Sequence, residues 1–121
     1  MAENPQGAVV MQADEKATAE KIIAVMPFVN SGGDSSQDYF VDGLTEDLII
    51  DLSKINAFSV ISRNSVFNYK NKEYSDKQVA KTLNADFLLK GNARLRGDLL
   101  RLNIELVNSE TGSNIWAERF E

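Results

Sequence analysis

The groups best suited to chemistry in this sequence are carboxylates. Asp42 and Glu46, and likewise Asp47 and Asp51, stand four residues apart, so on a helix each pair shares one face. Paired acids of this kind fit general acid–base work or a hard cation, although such cations usually draw several oxygens from a folded loop. The plainer reading is a solvated acidic face, and the functional one is an acidic face for a protein partner. A second candidate is the polar stretch Asn30-Ser31-Gly32-Gly33-Asp34, continued by Ser35-Ser36. Lying between a strand and a helix, its backbone N–H groups could cradle an anion. It follows no Walker or dinucleotide pattern, and it also reads as a connector made permissive by glycine. A third group is Lys90, Arg94, Arg96 and Arg101, with Tyr69 and Lys70 as possible neighbours. Cations and aromatics together suit single-stranded nucleic acid, but no aromatic is interleaved among these four. Charge protecting a sheet edge is the simpler expectation. Trp116, beside Ile115 and Ala117, is expected to anchor the core against the first helix.

What is missing narrows the chemistry further. The 121 residues contain no His and no Cys. That removes the Ser-His-Asp triad, imidazole and thiolate metal ligands, thiol nucleophiles and disulfides. No catalytic residue, metal site or cofactor is assigned on this basis. With 13 Lys and Arg against 18 Asp and Glu, the net charge is −5, which argues against broad binding to a phosphate backbone. No apolar run is long enough to span a bilayer, so direct membrane insertion is not expected.

The elements that must hold these groups follow from the pattern. Residues 1–20, rich in Ala, Glu, Gln and Lys, read as a flexible linker or tail, with a short helix possible near 13–21. Residues 21–121 read as one domain, of a length that hides roughly two thirds of its unfolded surface. Ile22-Ile23-Ala24-Val25-Met26 is a continuous apolar run, as in a central strand covered on both faces, and Pro27 ends its pairing. Phe40, Leu44, Leu48, Leu52 and Ile55 form one stripe of a helix over 37–54. Gly43 within it marks either a close approach of another backbone or a later helix start. Phe58–Ile61 is a second short strand, and Val66, Phe67 and Tyr69 form a turn packed on the core. Ser75 and Gln78 fit a capping box opening a second helix, which Asn84 closes in the left-handed conformation. From Asp86 the period becomes two, Gly97-Asp98 makes a tight hairpin turn, and a last strand runs over 113–120. The fold class is therefore α/β: a mixed sheet of about five strands with two main helices, ending in an antiparallel meander.

Several blocks in this order resemble the TolB-like amino-terminal domain family. They are Ile23-Ala24-Val25-Met26-Pro27-Phe28, Asn30 to Asp34, Tyr39-Phe40-Val41-Asp42-Gly43-Leu44-Thr45-Glu46-Asp47-Leu48, Val60-Ile61-Ser62-Arg63-Asn64-Ser65, Leu89-Lys90-Gly91-Asn92 and Thr111 to Phe120. Met26, Ser35 and Asn84 depart from the pattern without disturbing the fold. The resemblance spans residues 22–121. It implies a module found in bacteria beside class III adenylate cyclase domains, winged-helix domains and TPR arrays, with an architecture like that of anticodon-binding domains and no catalytic set.

The expected function is a non-enzymatic protein-interaction module of a larger bacterial signalling protein. Its partners would be other domains of the parent chain or a second copy of itself, and not nucleic acid. Asp42, Glu46, Asp47, Arg94, Arg96 and Arg101 are the candidate contact residues. A small-ligand or anion sensor built on Asn30, Ser31, Gly32, Gly33 and Asp34 is the alternative, and a hydrolase built on paired carboxylates a second one. The cytoplasmic and periplasmic sides are equally compatible with the sequence.

Overall fold

The computed structural model describes residues 21–121. The expected linker and its possible short helix lie outside the described residues. Six strands form one sheet: β1 (Lys21–Val25), β2 (Val29–Asn30), β3 (Phe58–Val60), β4 (Phe87–Arg96), β5 (Leu99–Asn108) and β6 (Asn114–Phe120). The order is β3-β1-β4-β5-β6, and β2 pairs with β4. Pairs among β1, β2, β3 and β4 are parallel, while β4–β5 and β5–β6 are antiparallel. The mixed α/β class stands, with one strand more than the five expected. The extra strand is β2, which resumes beside β4 where β1 leaves off. Pro27 has no N–H to donate, so the ladder is interrupted there and recovers only at Val29.

That interruption is managed with specific groups. Met26 N still donates to Leu89 O at 2.9 Å, and Ser31 N donates to Ala93 O at 2.9 Å. Between them, Phe28 N turns off the ladder and donates to the hydroxyl of Thr45 at 2.9 Å. Thr45 is fully buried, so its hydroxyl meets what would otherwise be an unpaired donor in the core.

Three helices cover the sheet: α1 (Asp38–Ser53), α2 (Arg63–Phe67) and α3 (Asp76–Leu83). The α1 helix packs Val41, Leu44, Leu48 and Leu52 on Ile23, Val25 and Leu89, on one face. On the other face, Val66 of α2 and Val79 and Ala80 of α3 close over Ala24, Met26, Leu88 and Val107. Helices on both sides explain why β1 is apolar at consecutive positions. The turn expected around Val66 is the helix α2, capped by Ser62, whose side chain accepts from Ser65 N. Ser75 caps α3 by accepting from Gln78 N, and Asn84 closes it at φ 57°. Gly97 takes φ 59° at the hairpin turn.

At Gly43 the expectation of a close approach or a late start is corrected. The α1 helix runs straight through, and a Cβ built there meets nothing within 4 Å. Trp116 is also corrected: it is 43% exposed on β6 and does not anchor the core. Strand alternation assigns a side chain to a face, and on that face α1 packs mainly over β1, β2 and β3 and the neighbouring Leu89 of β4, leaving Trp116 on the exposed edge strand.

Candidate interaction surface

The registers of β4, β5 and β6 set out two contrasting surfaces. Leu106, Ile104 and Leu102 on β5 stand opposite Trp116, Glu118 and Phe120 on β6, so all six side chains share the α1 side of the sheet. The contacts of α1 concentrate on β1, β2 and β3, and β6 is exposed along its whole length. An apolar face therefore continues beyond the helix, carrying Leu102, Ile104 and Leu106, then Trp116 and Phe120, the latter 45% exposed. Covering the open part of each aromatic ring would recover roughly 2 kcal/mol at about 25 cal/mol per Å².

The edge beside this face is also open. At the far edge β3 is only three residues long, which itself discourages pairing. The edge strand β6 has seven residues and offers its outer N–H and C=O groups to another strand. A bulge falls between Leu106 and Val107 of β5, where Ile115 is the extra residue of β6. Such a bulge increases local twist and turns the exposed Ile115 outward from the register.

The opposite side of the same strands is polar. Rows across β4, β5 and β6 read Asn92, Asn103, Arg119, then Lys90, Glu105, Ala117; the row beyond is the β4–β5 pair Arg94 and Arg101, which Glu121, just past β6, reaches through its side chain. Asn103 Nδ2 donates to Asn92 Oδ1 at 2.9 Å, and Arg119 Nε donates to Asn103 Oδ1 at 3.3 Å. At Arg94, Arg96 and Arg101 the β4–β5 hairpin runs past its neighbours, because β2 pairs only as far as Ala93 and β6 only as far as Leu102, so these cations flank open strand edges while their side chains share the polar face.

Lys90 is the one cation of this set that the helices occupy. It donates to both oxygens of Asp76, at 2.9 and 3.2 Å, and lies 5.7 Å above the Tyr74 ring. Burial pushes the Tyr74 hydroxyl up, an effect that Lys90 opposes and Asp76 and Glu105 reinforce. For Lys90 burial acts downward, but the hydrogen bond and charge of Asp76, with Tyr74 and Glu105, outweigh it and hold the ammonium above its ordinary value. Both groups thus keep their protons more firmly folded than unfolded. Their contribution is complete below about pH 10 and is lost as pH rises through the raised values. The urea midpoint is expected to stay level from neutral pH to about pH 9 and to fall above about pH 10, with Tyr74→Phe making that fall shallower.

The other sequence candidates are largely engaged within the chain. Asp42 accepts from Lys70 Nζ, and Glu46 accepts from Arg63 Nε at 2.6 Å, so both acids tie α1 to the segment around α2. Asp47 remains exposed. In the loop, Asn30 Nδ2 donates to Asp34 O and to Asp38 Oδ1, each at 2.8 Å. The N–H groups of Ser31, Gly32, Ser36 and Gln37 are donated to Ala93, Asn30 and Asp34. The Ser36 hydroxyl and then its N–H hold the Asp34 carboxyl below its usual value. The geometry is that of a self-satisfied connector, with Gly33 at φ 83° as its conformational pivot. Among the described residues, no group of three or more acids gathers as a metal site, and no helix is long and apolar enough to cross a membrane.

Known proteins share this fold. A family model described as the second domain of a HilA/YgeH-like transcriptional regulator matches residues 19–121. The chain belongs to this family. A relative from Rhizobium meliloti (strain 1021), named "Putative adenylate cyclase 3", is 43% identical over 103 residues, covering 85% of this chain and 18% of that protein. The chain thus spans under a fifth of the length of that relative. The C-terminal domain of LpoB from Escherichia coli has the same fold, with a TM-score of 0.65 and 18% identity over 84% of this chain and 82% of that one. TolB from Acinetobacter baumannii aligns with a TM-score of 0.59 and 15% identity, over 84% of this chain and 23% of that one. The TolB-like architecture expected from the sequence is the one observed.

Proposed function

We propose that this chain is a non-catalytic interaction module of TolB-like type within a larger bacterial signalling protein, with residues 21–121 as the module and residues 1–20 as a linker. Two features of the comparisons support the larger setting. The family is described as one domain of a transcriptional regulator, and the adenylate-cyclase relative is far longer than the matched segment. By this reading the parent protein couples the module to a nucleotide cyclase or a DNA-binding domain.

The observation that carries the proposal is the half-covered apolar face of β5, continued by the exposed Trp116 and Phe120 of β6, beside the open β6 edge. A partner strand gains main-chain hydrogen bonds along β6, while Trp116 and Phe120 select what packs beside it. The partner is a neighbouring part of the longer protein or a second copy of the module. The acids Asp42 and Glu46 contribute less, because their charges are already spent on Lys70 and Arg63.

The experiment is sedimentation velocity on the isolated chain, and on the chain mixed with the rest of its parent protein. Wild type is expected to form a complex in one of the two settings. Trp116→Asp with Phe120→Asp is expected to weaken it by about tenfold or more, the equivalent of 1.4 kcal/mol, with an unchanged melting temperature. A wild type that stays monomeric and unbound in both settings overturns the reading.

A further inference from the structure

We propose that the polar side of the β4–β5–β6 sheet is a docking site for an acidic, extended polypeptide segment, held by Arg94, Arg96, Arg101 and Arg119. This deepens the interaction-module reading and rests on it, but uses the face opposite Trp116.

Arg94 and Arg101 are directly opposed across β4 and β5. Like charges in that relation destabilise a sheet, so the opposed pair is a cost to the fold itself. Arg96 lies two residues beyond Arg94 on the same face, and Arg119 stands opposite Asn103 on β6. Arg94, Arg96 and Arg119 make no ion pair with another described residue. Four guanidinium groups thus gather at one end of one face of a chain whose net charge is −5. Such a concentration attracts a partner of opposite sign.

The chain itself shows what the patch accepts. A cavity of about 210 Å³ is lined by Arg94, Arg96, Leu99, Leu100, Arg101 and Glu121. A carboxylate is seated there: Glu121 Oε2 lies 2.8 Å from Arg101 Nη2. Both side chains are well exposed, so the pair contributes little stability and is readily exchanged for another carboxylate.

The spacing selects the shape of the ligand. Arg94 and Arg96, two apart along β4, are separated by roughly 7 Å, the distance at which alternate side chains of an extended strand repeat. Acids at alternate positions of an extended segment meet both forks at once, and Arg is well suited to two-point contacts with carboxylates. The Asn92–Asn103 amide pair lies in the next row, within reach of such a segment. A nucleic acid fits less well, because this arginine end presents no aromatic ring on which bases could stack.

The test is fluorescence anisotropy with the full chain and a labelled short peptide of alternating Glu and Thr. The controls are a peptide of the same composition with its Glu residues in one block, an oligothymidylate and inorganic phosphate. The alternating peptide is expected to bind at low salt and to weaken steeply near 0.3 M, where the Debye length is about 6 Å. Arg94→Gln and Arg101→Gln are each expected to weaken it by about tenfold. Gln retains the Cγ of Arg94, which packs by Gly32. Neither variant should melt below wild type, because the like-charge opposition is relieved, whereas a merely structural arginine would lower the melting point. Trp116→Asp, on the other face, is expected to leave peptide affinity unchanged, so a failure here is separable from a failure of the apolar face. No binding of the alternating peptide at low salt, unchanged binding in both Gln variants, or tighter binding of phosphate or oligothymidylate would overturn the proposal.

Discussion

Gly91→Ala is expected to destabilise the protein at the upper end of the roughly 1–3 kcal/mol typical of overpacked cores, lowering the melting temperature by on the order of 10 °C. Gly91 sits in the middle of β4, the strand that carries both surfaces. Chain interruption at Pro27 sends Phe28 over this position. A Cβ on residue 91 would fall within 2.8 Å of two Phe28 ring carbons and press still harder on the Asn103 carbonyl oxygen. The ring can tilt, but the carbonyl belongs to the β5 backbone, so the hairpin must shift. A double-mutant cycle checks the mechanism. Phe28→Leu is expected to recover part of the Gly91→Ala loss, and never all of it, because the Asn103 contact remains. Additive losses in the pair would refute the proposed packing.

Leu88→Ala is expected to cost about 2–5 kcal/mol, toward the upper end of that range. Leu88 is fully buried in β4, paired with Ala24 of β1 and Val107 of β5. It packs in the cluster that joins Met26 to Val66, Val79 and Ala80. Several of these neighbours are already alanines, which cannot swell to fill the void. Against a usual total of about 5–15 kcal/mol, one such change consumes a large share. Urea denaturation should show a lower midpoint with an unchanged slope. A loss under about 1 kcal/mol would mean that the cluster closes around the cavity, contrary to the packing described.

Much of the scaffold was readable in the residues because local and global signals agree there. The apolar run of β1, the alternation of β4 and β5, and the positive-φ positions at Asn84 and Gly97 each have one physical solution. The two-residue β2 has no pattern of its own, and its pairing depends on β4 reaching past Pro27. The five-residue α2 is too short to display a helical period. Trp116 was misread for a different reason. Alternation fixed its face correctly, but whether that face is covered depends on where α1 ends its contacts, which no spacing encodes. The acids of α1 looked free because their partners, Arg63 and Lys70, lie 17 and 28 residues away. The opposition of Arg94 and Arg101 became visible only once β4 and β5 were in register, although the Gly97 turn already implies it.

The central claim is that this domain works through the surface of β5 and β6. Hydrogen exchange of β6 amides tests it most directly, comparing the chain alone with the chain in the presence of the rest of its parent protein, at low and high protein concentration. Slowed exchange over Asn114–Phe120 on assembly, abolished by Trp116→Asp with Phe120→Asp, is the predicted result. Complex formation that leaves those amides exchanging as in the lone domain would contradict it.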